Sequence, residues 1–337
     1  MTFRPEAMSA AVDLLVLDPT DSIVVEELDR AFRLHHLWQA PDAERLLATV
    51  APAVRGLVVD GGSVDDALLG RFPALEIVAS YGVGYDAIDA AAAGRRGIVV
   101  TNTPGVLDDE VADLCVGLLL ATIRELPQAD RYVRAGKWPT GPYRLTSTLR
   151  GRTVGIFGLG RIGKAVARRL EAFGVELCHF GRTRQPDVPY EYVPGLVPLT
   201  ERADTLICAV PGGSGTRHAV NAEVMRALGP DGVLVNIGRG ATIDEPALIA
   251  ALQGGTIRAA GLDVFEDEPD VPEQLMRMEN VVLLPHVGTG SFATREAMAR
   301  LVVGNIVDWF AGRGPRTPVP ETSGIGSRLT TATEERL

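Results

Sequence analysis

Short, continuously apolar runs rich in Val, Ile and Leu recur along the chain and alternate with longer stretches of helical spacing. The runs are VDLLVL (12–17), GLVVD (56–60), LEIVAS (75–80), TVGIFG (153–158), VELCHF (175–180), TLICAV (205–210), GVLVNI (232–237) and VVLL (281–284). A strand that is apolar on both faces needs cover on both faces. That is the situation of a parallel strand flanked by crossover helices. The pattern therefore predicts an α/β protein built from βαβ units with right-handed crossovers. The runs fall into two series, one over residues 12 to about 100 and one from about 153 to 284. Two doubly wound parallel-sheet domains suit a chain of 337 residues, more than a single core usually serves.

Between the series lies a long helical candidate, Asp108 to Ala135. Asp108 is suited to cap its start and Gly136 to stop it, and Pro127 is expected to kink it or divide it in two. A second long helix is expected from Ser291 to Phe310. From Pro315 onward the chain is rich in Pro, Thr, Ser and Gly, and 319–337 is expected to be a disordered tail.

The net charge of −10 argues against nucleic acid or an anionic membrane surface as a partner. It leaves room for a small anionic ligand held by a few local arginines. Cys115, Cys178 and Cys208 lie in apolar runs with no CxxC pairing, which reads as buried thiols in a reducing compartment. No signal peptide or membrane-spanning run is evident, so a cytoplasmic location is expected. His35, His36, His179 and His218 show no ligand spacing, and no metal site is expected.

The run TVGIF leads into Gly158-Leu159-Gly160-Arg161-Ile162-Gly163 and then into a helical stretch, KAVARRLEAFG. Between a strand and a helix, GxGxxG permits a tight turn and brings backbone N–H groups and a helix N-terminus against a pyrophosphate. The next strand ends at Phe180. A site preferring NAD(H) would place a carboxylate there for the ribose 2′-hydroxyl, but the chain reads Gly181-Arg182-Thr183-Arg184. Two guanidinium groups and a hydroxyl suit a 2′-phosphate, so NADP(H) is the expected cofactor, with NAD(H) use still open.

Three charged residues follow strands of the second series: Arg239 in NIGRG, Glu268 in GLDVFEDEP and His286 in LPHVG. All fall on the carboxyl-end side, where open α/β sheets bind ligands. Reduction of a 2-oxo acid calls for such a set. Negative charge builds on the carbonyl oxygen as hydride arrives. An imidazolium can donate the proton, a carboxylate can orient and charge-stabilise the imidazole, and a guanidinium can grip the substrate carboxylate. Gly61 follows a strand of the first series and is a candidate pocket residue. Tyr81 reads equally as pocket wall or core filler, and Trp138 as a residue reaching a partner's site or packing a subunit interface.

These segments, with YGVGYDAID (81–89), VTNTPGVLDDEVAD (100–113) and GLGRIGKAVA (158–167), resemble the D-isomer-specific 2-hydroxyacid dehydrogenases, from about Asp13 to Pro318. GRTR and DEVADLCVGLLLATIREL point towards the NADPH-linked glyoxylate/hydroxypyruvate and hydroxyphenylpyruvate reductases among them. The resemblance implies Arg239 as substrate anchor, Glu268 as orienting carboxylate and His286 as proton donor. It implies backbone binding of the substrate carboxylate at Val83 and Gly84. Asp263 would receive the nicotinamide carboxamide, with Val210, Pro211, Ile237, Gly238 and Gly288 along the cofactor. It implies two Rossmann-like domains, one flavodoxin-like and one dinucleotide-binding, with a cleft between them. The expected division is 1–102 with 288–318 for substrate and 103–287 for nucleotide. A homodimer through the nucleotide domain and the 108–135 helix is also implied. The alternatives are an NAD-linked relative acting on D-lactate or phosphoglycerate, and a non-catalytic, corepressor-like nucleotide sensor.

Overall fold

The structure is a computed structural model that describes residues 12–326. It divides into two compact units: the chain up to Leu107 together with the chain from Ser291, and Asp108–Gly290 between them.

The first unit holds β1 (Asp13–Val16), β2 (Arg33–His36), β3 (Val54–Val59), β4 (Ile77–Ser80) and β5 (Val99–Thr101). They form a parallel sheet in the order β2-β1-β3-β4-β5, whose winding reverses between β1 and β3. The apolar residues of the inner strands β1, β3 and β4 are buried, and only Asp13 and Arg55 among their residues are half-buried. The helix Phe292–Phe310 belongs to this unit. Ser291 caps it, its hydroxyl accepting from Thr294 N–H, and the buried Trp309 indole donates to Glu76.

The second unit holds β6 (Thr153–Phe157), β7 (Glu176–Phe180), β8 (Glu191–Tyr192), β9 (Thr205–Cys208), β10 (Val233–Asn236), β11 (Ala259–Leu262) and β12 (Val281–Leu283). All pair in parallel, in the order β12-β11-β10-β9-β6-β7-β8, and the winding reverses between β6 and β9. β11 was not among the expected strands, because Ala-Ala-Gly-Leu carries too little apolar bulk to read as one. Its small residues have a packing cause: a Cβ on Gly261 would stand 2.5 Å from Thr122 Oγ1 and 2.9 Å from Leu118 Cγ. β2 and β8 were missed for another reason. They are edge strands, half-buried and polar.

The helical candidate at 108–135 is divided in two, Asp108–Ile123 and Leu126–Arg134. The break comes at Glu125, which adopts a left-handed backbone (φ 53°), and Pro127 sits in the first turn of the second helix. Gly136 (φ 67°) closes the pair. Val111, Ala112, Cys115, Leu118, Leu119 and Ile123 are buried within the unit, against the helix Arg161–Leu170 and β10–β12. One apolar face of the first helix is thus spent internally, while Leu114, Val116 and Leu120 on the same helix are only half-buried. Exposed apolar side chains follow it: Leu126, Val133, Trp138 and Leu145.

The expectation of a disordered tail from 319 is corrected for its first part. Val319 and Thr322 are each 1% exposed; Val319 N–H donates to the Val100 carbonyl, and the Thr322 hydroxyl bonds Val100 N–H. Val319 fills the apolar core beside Val100, so this strap is packed despite its loop-like composition. Residues 327–337 lie outside the described residues. All three cysteines are buried and unpaired, and burial pushes the Cys115 thiol up to about 12 and that of Cys178 up to about 11. Among the described residues, no helix is long and apolar enough to cross a membrane and no His/Cys/Asp/Glu group could hold a metal ion.

Candidate active site

The glycine loop joins β6 to the helix Arg161–Leu170, and each glycine has a distinct physical reason. Gly158 has φ 100°, and a Cβ there would stand 2.7 Å from Val210 Cγ1 and 2.8 Å from the Ala209 carbonyl. A Cβ on Gly163 would fall 2.2 Å from the Gly158 carbonyl, so the helix lies against the strand only because none is present. Gly160 has nothing within 4 Å on its side-chain face, and it caps the helix without a side-chain hydrogen bond. An open approach to uncapped helix N–H groups fits a pyrophosphate. Leu159 is buried, Ile162 half-buried, and Arg161 reaches outward to Asp108 at 3.6 Å.

Arg182, Thr183 and Arg184 follow β7 and are exposed, and neither arginine makes an ion pair among the described residues. Lys164 holds the same loop from the helix, its Nζ 2.7 Å from Asp187 Oδ2, which lowers the Asp187 pKa. The reading of the sequence missed Lys164 and Asp187, since nothing in the local pattern pairs them. Val210 and Ile237 are buried at the ends of β9 and β10, Pro211 is exposed, and a Cβ on Gly238 would sit 2.6 Å from the Val210 carbonyl.

Arg239 follows β10. The buried Asn236 side chain staples its loop, donating to the Arg239 carbonyl (2.9 Å) and accepting from Gly238 N–H (3.0 Å). Gly240 lets this loop lie on the one after β11, for a Cβ there would fall 1.8 Å from the Phe265 carbonyl. That second loop carries Glu268. One Glu268 oxygen accepts from Phe265 N–H at 2.9 Å and the other lies 2.7 Å from His286 Nδ1. Burial alone would raise the Glu268 pKa. The bonds from His286 and Phe265 and the charges of His286 and Arg239 outweigh it, and the net shift is downward. An ionised carboxylate only accepts, so the proton of this bond belongs to Nδ1. Nε2 of His286 has no partner among the described residues.

His286 has a left-handed backbone, φ 52°, which costs a non-glycine residue on the order of 1 kcal/mol. Asp263 holds it there. The Asp263 carbonyl accepts from His286 N–H, and its buried carboxylate accepts from Val287 N–H (2.8 Å) and Gly288 N–H (2.9 Å). Its pKa is raised, first by burial and against those N–H bonds. Both Asp263 oxygens are thus engaged by the backbone, each with lone-pair capacity left.

In the first unit, Val83 and Gly84 follow β4 and are half-buried, and their N–H groups have no partner among the described residues. Gly61 has φ 91° and open space where a side chain would project. Tyr81 belongs to the core of its unit: it is 5% exposed, its hydroxyl donates to the Arg295 carbonyl at 3.0 Å and lies 3.3 Å from Asp21 Oδ2, and the Arg295 guanidinium covers its ring. The pocket-wall reading of its side chain is corrected on that ground. Trp138 stands in a short 3-10 turn, 66% exposed.

Residues 116–288 match the family described as D-isomer specific 2-hydroxyacid dehydrogenase, NAD binding domain. The glyoxylate/hydroxypyruvate reductase A of Arabidopsis thaliana is 48% identical over 310 residues, covering 92% of this chain and 99% of its own. The hydroxyphenylpyruvate reductase of Plectranthus scutellarioides is 47% identical over 310 residues, 92% of this chain and 99% of its own. A solved structure of an NADPH-dependent glyoxylate/hydroxypyruvate reductase from Sinorhizobium meliloti, in complex with NADP and malonate, superposes with a TM-score of 0.90 at 50% identity, covering 95% of this chain and 99% of that one. On these matches and on the site just described, the chain belongs to the D-isomer specific 2-hydroxyacid dehydrogenases, a family of enzymes.

Proposed function

We propose that this enzyme reduces small 2-oxo acids of the glyoxylate and hydroxypyruvate type to D-2-hydroxy acids with NADPH. The observation that carries this reading is the His286–Glu268 pair, with Nε2 left open, in the same unit as the uncapped glycine loop. The loop Arg182-Thr183-Arg184, without a carboxylate at the end of β7, favours NADPH over NADH, and the Sinorhizobium meliloti relative is named as NADPH-dependent.

When bound, the reduced nicotinamide supplies a hydride to the keto carbon. The chain's own residues do the rest. Nε2–H of His286 donates its proton to the oxygen on which charge develops. Glu268 holds the ring through Nδ1 and stabilises the imidazolium before transfer. Arg239 binds the substrate carboxylate and polarises the carbonyl. The open N–H groups of Val83 and Gly84 bind the substrate carboxylate as well. Asp263 fixes the turn bearing His286, and its remaining lone pairs would accept from the nicotinamide carboxamide. The exposed Leu126, Val133, Trp138 and Leu145 support a homodimer assembled through the segment after the first long helix.

The test is steady-state kinetics with glyoxylate and hydroxypyruvate against both cofactors. A kcat/KM at least about tenfold higher with NADPH is expected, falling towards parity in Arg182→Ala. His286→Ala should lose about a hundredfold or more of kcat with NADPH binding retained. A preference for NADH, or a His286→Ala variant of near-full activity, overturns the corresponding assignment.

A further inference from the structure

Carboxylate binding at Val83 and Gly84 depends on where their N–H groups point. A trans peptide is planar, so its N–H points away from its C=O. The Gly82 carbonyl accepts from Thr103 N–H at 2.9 Å, which orients the Gly82–Val83 peptide. The Val83 carbonyl accepts from Asn102 Nδ2 at 2.7 Å, which orients the Val83–Gly84 peptide. Both carbonyls are thus tied to the two residues just after β5. The N–H groups on the opposite edges, those of Val83 and Gly84, have no partner among the described residues. Successive N–H groups presented in this way form an anion cradle.

Of the two ties, the one from Thr103 is backbone, and any residue but proline would make it. The one from Asn102 needs a side-chain donor at that reach. Asn102 is 8% exposed and is itself held. Its N–H donates to the Thr317 carbonyl at 3.3 Å, and its carbonyl accepts from the Thr317 hydroxyl at 2.6 Å. Asn305, on the helix Phe292–Phe310, fixes Thr317 in turn, donating to its hydroxyl (2.9 Å) and accepting from its N–H (2.9 Å). A continuous set of hydrogen bonds therefore runs from that helix through the C-terminal strap to the loop after β4.

We propose that Asn102 is a positioning residue for the substrate's carboxylate: it pins the Val83 carbonyl inward so that the Gly84 N–H is presented outward. The inference rests on the reading that Val83 and Gly84 bind that carboxylate. Without the Asn102 amide, the Val83–Gly84 peptide is free to rotate and to turn a carbonyl oxygen towards an anion.

The experiment compares wild type with Asn102→Ala and Thr317→Val. It measures glyoxylate KM and kcat, the Kd of oxalate as an unreactive carboxylate, the KM of the neutral analogue glyoxylamide, and the Kd of NADPH. Asn102→Ala should raise glyoxylate KM and oxalate Kd together by about tenfold, with NADPH Kd and glyoxylamide KM within about twofold of wild type and kcat changed less than KM. Thr317→Val should shift the same two quantities in the same direction by a smaller factor. Unchanged oxalate binding in Asn102→Ala overturns the proposal. So does an equal loss with glyoxylamide, which would mean contact with the keto group. If Asn102→Ala loses NADPH binding it is misfolded, and Thr317→Val decides by the same criteria. Wild-type protein that turns over glyoxylate but binds no oxalate overturns the carboxylate reading and this proposal with it; no turnover at all overturns the proposed function instead.

Discussion

At the scale of single residues, the site is built by groups that do not themselves need to touch a ligand. His286 sits in a backbone conformation that disfavours a side chain, and it stays there because Asp263 caps the next two amides and Glu268 holds its ring. Asn102 does for the Val83–Gly84 peptide what Asp263 does for His286. A different cost falls on Asp60, at the end of β3. Burial pushes its carboxyl up to about 6, against the pull of the Arg295 charge, and Asp18 and Asp21 raise it further. A carboxyl with a folded pKa above its unfolded one keeps its proton longer in the folded state. Stability then declines as pH rises from the usual carboxylate value to about 6, and the penalty stays in place above that. Asp60→Asn should therefore stabilise the protein by about 1–2 kcal/mol at pH 8, discounted for partial exposure, and by little at pH 4. Urea unfolding at the two pH values measures this; an equal effect at both would show that the charge is not the cause.

At the scale of elements, loops after neighbouring strands meet at distances that only glycine allows. The β10 loop carries Arg239 and the β11 loop carries Glu268, and they lie against each other at Gly240. Gly240→Ala would push its Cβ into the Phe265 backbone, which cannot yield as a flexible side chain would. It should cost on the order of 3 kcal/mol and should lower kcat even where the protein stays folded, since Arg239 and Glu268 would move apart. Thermal melting with single-turnover rates tests this, and a variant with wild-type melting and rate would show that the loops separate without consequence. The helix Asp108–Ile123 gives the same lesson at β11, where Gly261 leaves the space that Leu118 and Thr122 occupy.

At the scale of the whole molecule, the proposed dimer rests on what the second unit leaves exposed. The first long helix buries one apolar face inside its own unit and leaves Leu114, Val116 and Leu120 half-buried, while Leu126, Trp138 and Leu145 are more than half exposed in the segment that follows. Single exposed apolar residues are ordinary, but several close together in one chain segment mark an interface. Light scattering should report about twice the mass of one chain. The double substitution Trp138→Glu and Leu145→Glu should yield a monomer, because a charge buried without a partner costs several kcal/mol. A double variant that remains dimeric places the interface elsewhere.

The two-series α/β architecture, the glycine loop and the candidate residues Arg239, Glu268 and His286, the last two of which the structure pairs, were legible in the chain itself. Apolar periodicity and turn chemistry are local, and a strand-end position is a local property too. What local pattern could not reveal was every feature in which one segment answers to another distant in sequence. The Ala-Ala-Gly-Leu strand exists because a helix packs closely on it, and the loop-like strap at 319–322 is ordered because β5 offers it Val100. Tyr81 is core because Arg295 and Asp21 take its hydroxyl. The same holds at the site. The sequence offers a histidine and a glycine proposed to bind an anion, but the direction of the Nδ1 proton and of the Gly84 N–H comes from Glu268 and Asn102. Hydrogen bonds are directional and short, so their partners are chosen only when the folded chain brings them within 3 Å or so.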